Sequence, residues 1–167
     1  MKIIPNFLEP NIFKKIKETI FSNQFPVFYS DQTGSLSDNS DFMFTHKFFS
    51  ENNQQSGYFS SILMPILGKL NFNYLLRAKL NFYTRKNKFV YTEMHRDFDE
   101  PHTVALYSLN KNNGFTYFED TKEKIPSVEN QLFLFDGLRK HCSVSQTDTK
   151  IRVNINIVTE RILVKLF

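Results

Sequence analysis

His95, Asp97, His141 and Arg152 are the residues of this 167-residue sequence whose types and spacing could do chemistry together. In Glu93-Met94-His95-Arg96-Asp97 an extended backbone would send the His95 and Asp97 side chains to the same side, because strand side chains alternate. One imidazole and one carboxylate a few ångströms apart are two donors of a metal site. His-x-Asp also opens the catalytic loop of kinases, but there an asparagine follows five residues after the aspartate, where this chain has His102. No DFG triplet or glycine-rich phosphate loop accompanies it, so the kinase reading fails.

A third donor must come from elsewhere in the chain, whose four histidines are His46, His95, His102 and His141. His141 stands 44 residues after Asp97, with three expected strands between them, about the path a jelly roll needs to return a later strand beside an earlier one. Two imidazoles and one carboxylate on one face leave three adjacent coordination positions open, which suits Fe(II). A structural zinc site would be closed by four ligands, preferably with cysteine. Eleven residues beyond His141, Arg152 alternates with Ile151 and Val153 and so faces away from the apolar side of its strand. A guanidinium in the mouth of a barrel needs an anion, since a buried unpaired cation is costly. A dicarboxylate would supply one, bidentate to the planar fork. His46 lacks a paired ligand nearby, His102 reads as an exposed loop residue or a border of the mouth, and Asp99 and Glu100 read as rim. Cys142 falls opposite His141 and reads as buried and inert.

The elements that must position these residues are mostly strands. The period is two in Leu76, Ala78, Leu80 and Phe82 against Arg77, Lys79, Asn81 and Tyr83. Further short strands are expected at 103–110, 115–120, 131–136 and 151–158, with a hairpin turn at Asn110-Lys111-Asn112-Asn113-Gly114. Helices are expected only at the front. Pro10 behind Glu9 opens one with Ile12, Ile16, Ile20 and Phe13 inward. The second spans about Gly57 to Leu70, with Phe59, Leu63, Ile66, Leu67 and Leu70 inward and Pro65 kinking or breaking it. Residues 30–41 are polar and read as a mobile loop or lid. The expected fold is mainly β with N-terminal helices (α+β), a jelly roll or double-stranded β-helix in one domain, with a helical front end at 1–72 and a jelly-roll core at 73–167.

Composition narrows the class. Phe numbers 19 and Tyr 7 with Trp absent, which favours half-buried pleated surfaces. A net charge of +4 is scattered; its densest cluster, Arg85-Lys86-Asn87-Lys88, reads as a solvated loop and gives no reason to expect nucleic acid. One cysteine excludes an intrachain disulfide framework and fits a reducing cytoplasm. No apolar run is long enough for a membrane span, and the first residues lack the core of a signal peptide. The apolar tail at 162–167 reads as a closing strand or a contact surface.

On His95-Arg96-Asp97, His141 and Arg152 together, the chain resembles the Fe(II)/2-oxoglutarate-dependent dioxygenases, in particular their compact prolyl-4-hydroxylase-like branch. Supporting echoes are Ala105 to Asn110, Asn112 to Asp120 and Asn130 to His141, so the resemblance covers about half the chain, Leu76 to Val158. It implies His95, Asp97 and His141 as iron ligands and Arg152 as partner of the distal carboxylate of 2-oxoglutarate. It further implies Tyr107 as a second hydrogen bond to that carboxylate and Tyr83 lining the same pocket. Asn81 and Asn154 would reach the co-substrate or merely satisfy hydrogen bonds within the barrel. The implied cofactors are Fe(II), 2-oxoglutarate and O₂, with ascorbate as a possible addition. The implied activity hydroxylates a peptidyl proline, another side chain or a small metabolite and releases succinate and CO₂. The nucleic-acid demethylases of the same superfamily are the alternative: they share Asn-x-Tyr and Arg-x-Asn, present here as Asn81-Phe82-Tyr83 and Arg152-Val153-Asn154. Their second arginine, however, is Val158 in this chain. A catalytically silent jelly-roll module that binds metal or a partner is the rival from outside enzymology.

Overall fold

The computed structural model describes residues 1–33 and 41–160. Most of the loop expected at 30–41, and all of the tail at 162–167, lie outside the described residues. The chain runs through β1 (Lys2–Ile4), α1 (Pro10–Ile20), β2 (Phe28–Ser30), β3 (Met43–Ser50), β4 (Asn53–Gln54), a π-helical segment at Phe59–Leu63, α2 (Met64–Leu67), β5 (Leu75–Thr84), β6 (His102–Ser108), β7 (Asn112–Phe118), β8 (Lys124–Ser127), β9 (Gln131–Asp136), β10 (His141–Val144) and β11 (Ile151–Glu160). The main sheet has the order β1-β9-β6-β11-β5-β3-β2, with β4 beside β3, and a smaller sheet has the order β10-β7-β8. All pairings are antiparallel. The small sheet covers one face of the large one, giving the double-stranded β-helix that the strand spacing predicts.

Helix α1 starts as expected, with Glu9 at the N-cap and Pro10 in the first turn, where a missing N–H costs nothing. It buries Phe13, Ile16 and Ile20, while Ile12 is exposed, because the inward stripe is spaced three and four rather than four and four. The second expected helix breaks in two. Pro65 sits in the first turn of α2, where its ring opposes a regular α-helical turn behind it, and the chain passes through the wider π turn before that point. Ile62, Leu63, Ile66 and Leu67 still reach the core.

Two expectations about strands differ from the structure. The front third is not purely helical: β1 to β4 extend the main sheet, and β3 pairs along β5 from Phe44↔Phe82 to Phe49↔Ala78. Residues 110–114 are not a hairpin turn either. They carry the chain from the main sheet to the small one, and none has a positive φ. The tight two-residue turn lies instead between β3 and β4, where Glu51 and Asn52 have φ of 52° and 58°, the primed geometry that suits a twisted hairpin.

The main sheet has two unlike faces. Ala78, Leu80, Ala105, Tyr107, Leu132, Val153, Ile155 and Ile157 point toward α1 and α2 and form the principal core with Phe13, Ile16, Ile62 and Ile66. The opposite face, toward the small sheet, carries a smaller apolar cluster of Val104, Phe118, Phe133, Phe135 and Val158, and beside it a polar cavity.

Candidate metal centre

Strand pairing dictates which side chains meet in the cavity. Antiparallel partners share a face, so the pairs Arg152↔Tyr83, Asn154↔Asn81 and Asn156↔Lys79 put six inward side chains in three rungs of β11 and β5. Arg77, Leu106, Phe135, Thr116, Ser143, His95, Asp97 and His141 complete most of the wall of a single open cavity.

His95 and His141 meet directly. Their backbones form a bridge with both N–H···O bonds at 3.0 Å, and their rings lie 4.8 Å apart between centroids. Residues 46 apart in sequence are thereby side by side on one face. Each Nδ1 lies 3.0 Å from a backbone carbonyl, His95 from Glu93 and His141 from Arg139. A carbonyl only accepts, so each Nδ1 carries its proton and each Nε2 is left with a lone pair, the tautomer a metal ligand needs. Burial lowers the pKa of His141 against the pull of Asp97, which keeps the ring neutral. Phe135 and Phe118 flank it at 4.9 and 5.9 Å.

Asp97 faces the pair, with Oδ2 3.7 Å from the Nε2 of His141. Its other oxygen accepts from the Arg77 guanidinium, and Asn156 Nδ2 donates to Oδ2 at 3.4 Å. Burial would raise the pKa of this carboxyl, but Arg77, His141, His95 and Lys79 outweigh it and hold the group at about 2. Among the described residues no three His, Cys, Asp or Glu side chains form a preformed metal cage, and Asp97 is paired with Arg77. The donor set nevertheless fits a divalent ion: two imidazoles whose Nδ1 atoms face carbonyls and whose Nε2 atoms are left for a metal, and one ionised carboxylate.

Arg152 lies at the other end of the same wall and is 2 % exposed. Nε donates to Ser127 Oγ at 2.8 Å, and Nη1 donates to Ser143 Oγ at 2.7 Å and to the Val144 carbonyl at 3.0 Å. The guanidinium stands 5.5 Å from the Tyr83 ring centroid. No carboxylate among the described residues pairs with it, and burial pulls its pKa down. Gly114 makes this close approach possible: a Cβ there would meet Arg152 Cδ at 3.1 Å and the Val144 carbonyl at 2.9 Å. Tyr83, expected in the pocket, lines it, and burial raises its pKa so that it stays a phenol donor.

Other candidates fall elsewhere. Tyr107, expected beside Arg152, points to the helix side of β6, packs edge-on against Phe7 and Phe13, and donates to Asn130 Oδ1 at 2.7 Å. Its register partner Ile155 shares that face, so the tyrosine is cut off from the cavity by the sheet itself. His102 is neither exposed nor at the mouth. It is fully buried, with Nδ1 2.6 Å from the Glu100 carbonyl, and packs where a Cβ on Gly137 would sit 1.9 Å from its Nε2. His46 is buried on the helix side between Ser56 and the Pro26 carbonyl, at 2.7 and 2.8 Å. Asn81 Nδ2 donates to Asn154 Oδ1 at 3.0 Å, a hydrogen bond within the barrel of the kind the sequence allowed for. Arg77, Lys79 and Asn156 were not singled out by sequence reasoning as site residues. The available signal was parity, since all three alternate with apolar residues on strands already read as lining the barrel.

Known folds can now be set beside this geometry. A prolyl hydroxylase from Trichoplax adhaerens, solved with a hypoxia-inducible-factor peptide, superposes with a TM-score of 0.63 and 16 % identity over 95 % of this chain and 83 % of its own. A 2-oxoglutarate-Fe(II) oxygenase family oxidoreductase from Burkholderia pseudomallei gives 0.66 and 9 % over 94 % and 84 %. A viral collagen prolyl hydroxylase from Paramecium bursaria Chlorella virus-1, solved with 2-oxoglutarate, gives 0.61 and 12 % over 95 % of both chains. No protein-family model and no curated protein sequence matches this chain. The chain has the fold of the 2-oxoglutarate/Fe(II) oxygenases, prolyl hydroxylases among them.

Proposed function

We propose that the protein is an Fe(II)- and 2-oxoglutarate-dependent oxygenase that hydroxylates a C–H bond of its substrate. In this reading His95, Asp97 and His141 hold the iron and Arg152 anchors the distal carboxylate of 2-oxoglutarate. The observation that carries it is Arg152: a buried guanidinium without a carboxylate partner among the described residues, in one cavity with two imidazoles and an aspartate. When bound, the iron supplies the redox chemistry that reduces O₂, decarboxylates 2-oxoglutarate to succinate and CO₂, and transfers one oxygen to the substrate.

The protein's own part is positioning. Ser127, Ser143 and the Val144 carbonyl fix Nε and Nη1 of Arg152, and none of these bonds uses Nη2. The guanidinium is thus oriented before a carboxylate arrives, which reduces the ordering that binding requires. Tyr83, beneath it, is placed to donate to the same carboxylate. The carbonyl bonds at Nδ1 aim both Nε2 atoms into the cavity. Arg77 and Asn156 hold Asp97 ionised and close by, and an ion arriving between the imidazoles would compete with Arg77 for its oxygen. Phe135 and Leu106 supply apolar wall against water. The substrate would be a peptidyl side chain or a small molecule; the Trichoplax enzyme was solved with a peptide. Among the described residues no helix is long and apolar enough to cross a membrane.

The test is anaerobic addition of Fe(II) and 2-oxoglutarate, read as the weak visible charge-transfer band of the chelate. Wild type should show it, while Asp97→Ala and Arg152→Ala should lose it or weaken it by roughly tenfold or more in 2-oxoglutarate affinity. Absence of the band from the wild-type protein rejects the reading. The engagement of Asp97 by Arg77 favours a second reading, a binding module without turnover. That module would retain no iron and show no band.

A further inference from the structure

We infer that the substrate is a small carboxylic acid bearing an N–H donor, of the amino-acid class, held at the end of the cavity away from Arg152 with its carboxylate on Lys79 and its donor on Asn81. This rests on the reading that Arg152 takes the co-substrate.

The cavity wall holds more positive charge than one dicarboxylate needs. On β5, Arg77 and Lys79 both face inward, and Asp97 is the one carboxylate lining the cavity among the described residues. Arg77 is engaged by that carboxylate. Lys79 makes neither a hydrogen bond nor an ion pair among the described residues, although it lines the cavity. Its cross-strand partner on β3 is Lys47. Like charges directly opposite each other destabilise a sheet. Burial, Arg77 and Lys47 together draw the Lys79 pKa down to about 8 against the pull of Asp97. An anion placed against the Lys79 ammonium would relieve all of this.

The distal carboxylate of the co-substrate is not that anion while it sits on Arg152, and in the same reading its near carboxylate is taken by the ion. The Arg152–Tyr83 rung and the Asn156–Lys79 rung are four residues apart on β11, roughly 13 Å at the rise of a strand. A five-carbon diacid has four C–C bonds of about 1.5 Å between its carboxyl carbons and spans less than half that distance. With both carboxylates of the co-substrate so engaged, an anion for Lys79 comes from a second ligand.

Asn81 adds the second half of the class. It occupies the rung between the two ends and is 4 % exposed. Its Nδ2 is used by Asn154, and its buried Oδ1 has no hydrogen-bond partner among the described residues. A buried acceptor without a donor is costly. The 2-oxoglutarate dianion carries acceptors only and cannot satisfy it. A ligand with an N–H group can. One ammonium for a carboxylate and one amide oxygen for an N–H, two residues apart on the same face of β5, are the recognition elements of a free amino acid.

The experiment loads the full-length protein anaerobically with Mn(II) and 2-oxoglutarate, and follows thermal stabilisation and calorimetric binding. Its panel is the free L-amino acids, their carboxamides, the matching des-amino acids, and short peptides blocked at both ends. At least one amino acid should bind saturably. Its carboxamide should bind roughly tenfold or more weaker, and Lys79→Met should lose a similar factor while Lys79→Arg retains most of the affinity. Asn81→Leu should make the amino acid bind no better than its des-amino analogue. Should Lys79→Met fail to fold, Lys79→Gln takes its place. Binding by no free amino acid, equal binding by the carboxamide, undiminished binding by the Lys79 variant, or binding confined to blocked peptides overturns the inference. Stabilisation by Mn(II) and 2-oxoglutarate before any panel member is added, lost in Arg152→Ala, is read separately. If wild type lacks it the co-substrate reading fails, and if it is present while the panel fails only the present inference falls.

Discussion

The two faces of the central strands of this protein are made from the same backbone and obey opposite rules. On β5, Ala78 and Leu80 are fully buried against the helices, while Arg77, Lys79, Asn81 and Tyr83 line the cavity. On β11, Val153, Ile155 and Ile157 belong to the core, and Arg152, Asn154 and Asn156 belong to the cavity. Interior positions of a small barrel are ordinarily filled with apolar side chains. Here the interior face buries a guanidinium and three amides. Such groups stabilise little even when fully bonded and destabilise when they are not. The helix-side face therefore holds the molecule together, and the inner face uses part of that stability to keep donors, acceptors and charges where a ligand would meet them.

That contrast is open to a direct break. Leu80 lies on the helix side of the rung pair flanked by Lys79 and Asn81, with no exposed surface. Leu80→Ala removes three carbons from a packed core and should cost about 2–5 kcal/mol of unfolding free energy, seen as a lower urea midpoint at unchanged slope. Well below its melting temperature the variant should keep wild-type affinity for 2-oxoglutarate in the presence of Mn(II). If affinity falls in step with stability, the two faces are not separable and the division drawn here is wrong.

A smaller effect sharpens the contrast from the inner side. Asp97 has a folded pKa of about 2 against an ordinary 3.8, lowered on balance by Arg77, His141, His95 and Lys79 despite the upward pull of burial. A depressed carboxyl pKa contributes stability that is present above the unfolded value and is lost as pH falls through the folded one. In the metal-free protein this amounts to about 2 kcal/mol, lost between roughly pH 4 and pH 2. The carboxylate is almost fully buried, so solvent screening takes little from it. Asp97→Asn should be less stable than wild type at pH 7 and should show a flatter acid limb in denaturation midpoints taken across that range. Parallel acid limbs for the two proteins would mean that Asp97 is not held ionised by its neighbours.

Why some of this was legible in the sequence and some was not follows from the same two faces. The strands β5 and β11 alternate cleanly between apolar and polar residues, so the inward direction of Arg152, Asn81 and Asn154 could be read from period alone, while the pairing of Asn81 with Asn154 needed the strand register. His95, Asp97 and His141 needed the resemblance to a known family, since no local rule joins residues 44 positions apart. Strand β6 carries apolar residues on both faces: Val104 and Leu106 turn inward while Ala105 and Tyr107 pack under the helices. With no polar side to mark the parity, Tyr107 could be put on the wrong face. Strand β3 has the same mixed character, and it was passed over beside the polar stretch before it. His102 was misplaced because its burial depends on Gly137, a contact between residues 35 apart that no periodicity encodes. The role of Arg77 depends likewise on the chain folding back to bring Asp97 against it.

The parity of β6 yields the smallest and most discriminating expectation. Tyr107 donates to Asn130 Oδ1, and that residue, at a φ of 54°, also bonds the Leu8 N–H at 3.0 Å and the Leu8 carbonyl at 2.9 Å. Asn130 thus clamps the segment before α1 to the sheet, and Tyr107 supports the clamp from below. Tyr107→Phe leaves Asn130 with its Leu8 partners, so no buried acceptor is stranded and the loss should be about 1 kcal/mol in chemical denaturation. Because the sheet separates this hydroxyl from the cavity, affinity for 2-oxoglutarate with Mn(II) should not change. Tyr83→Phe, on the inner face against Arg152, should instead weaken 2-oxoglutarate by several-fold at nearly constant stability. The reverse outcome, with Tyr107→Phe weakening the co-substrate and Tyr83→Phe leaving it intact, would place Tyr107 at the ligand and would require β6 to be shifted by one residue, turning every side chain on it to the other face.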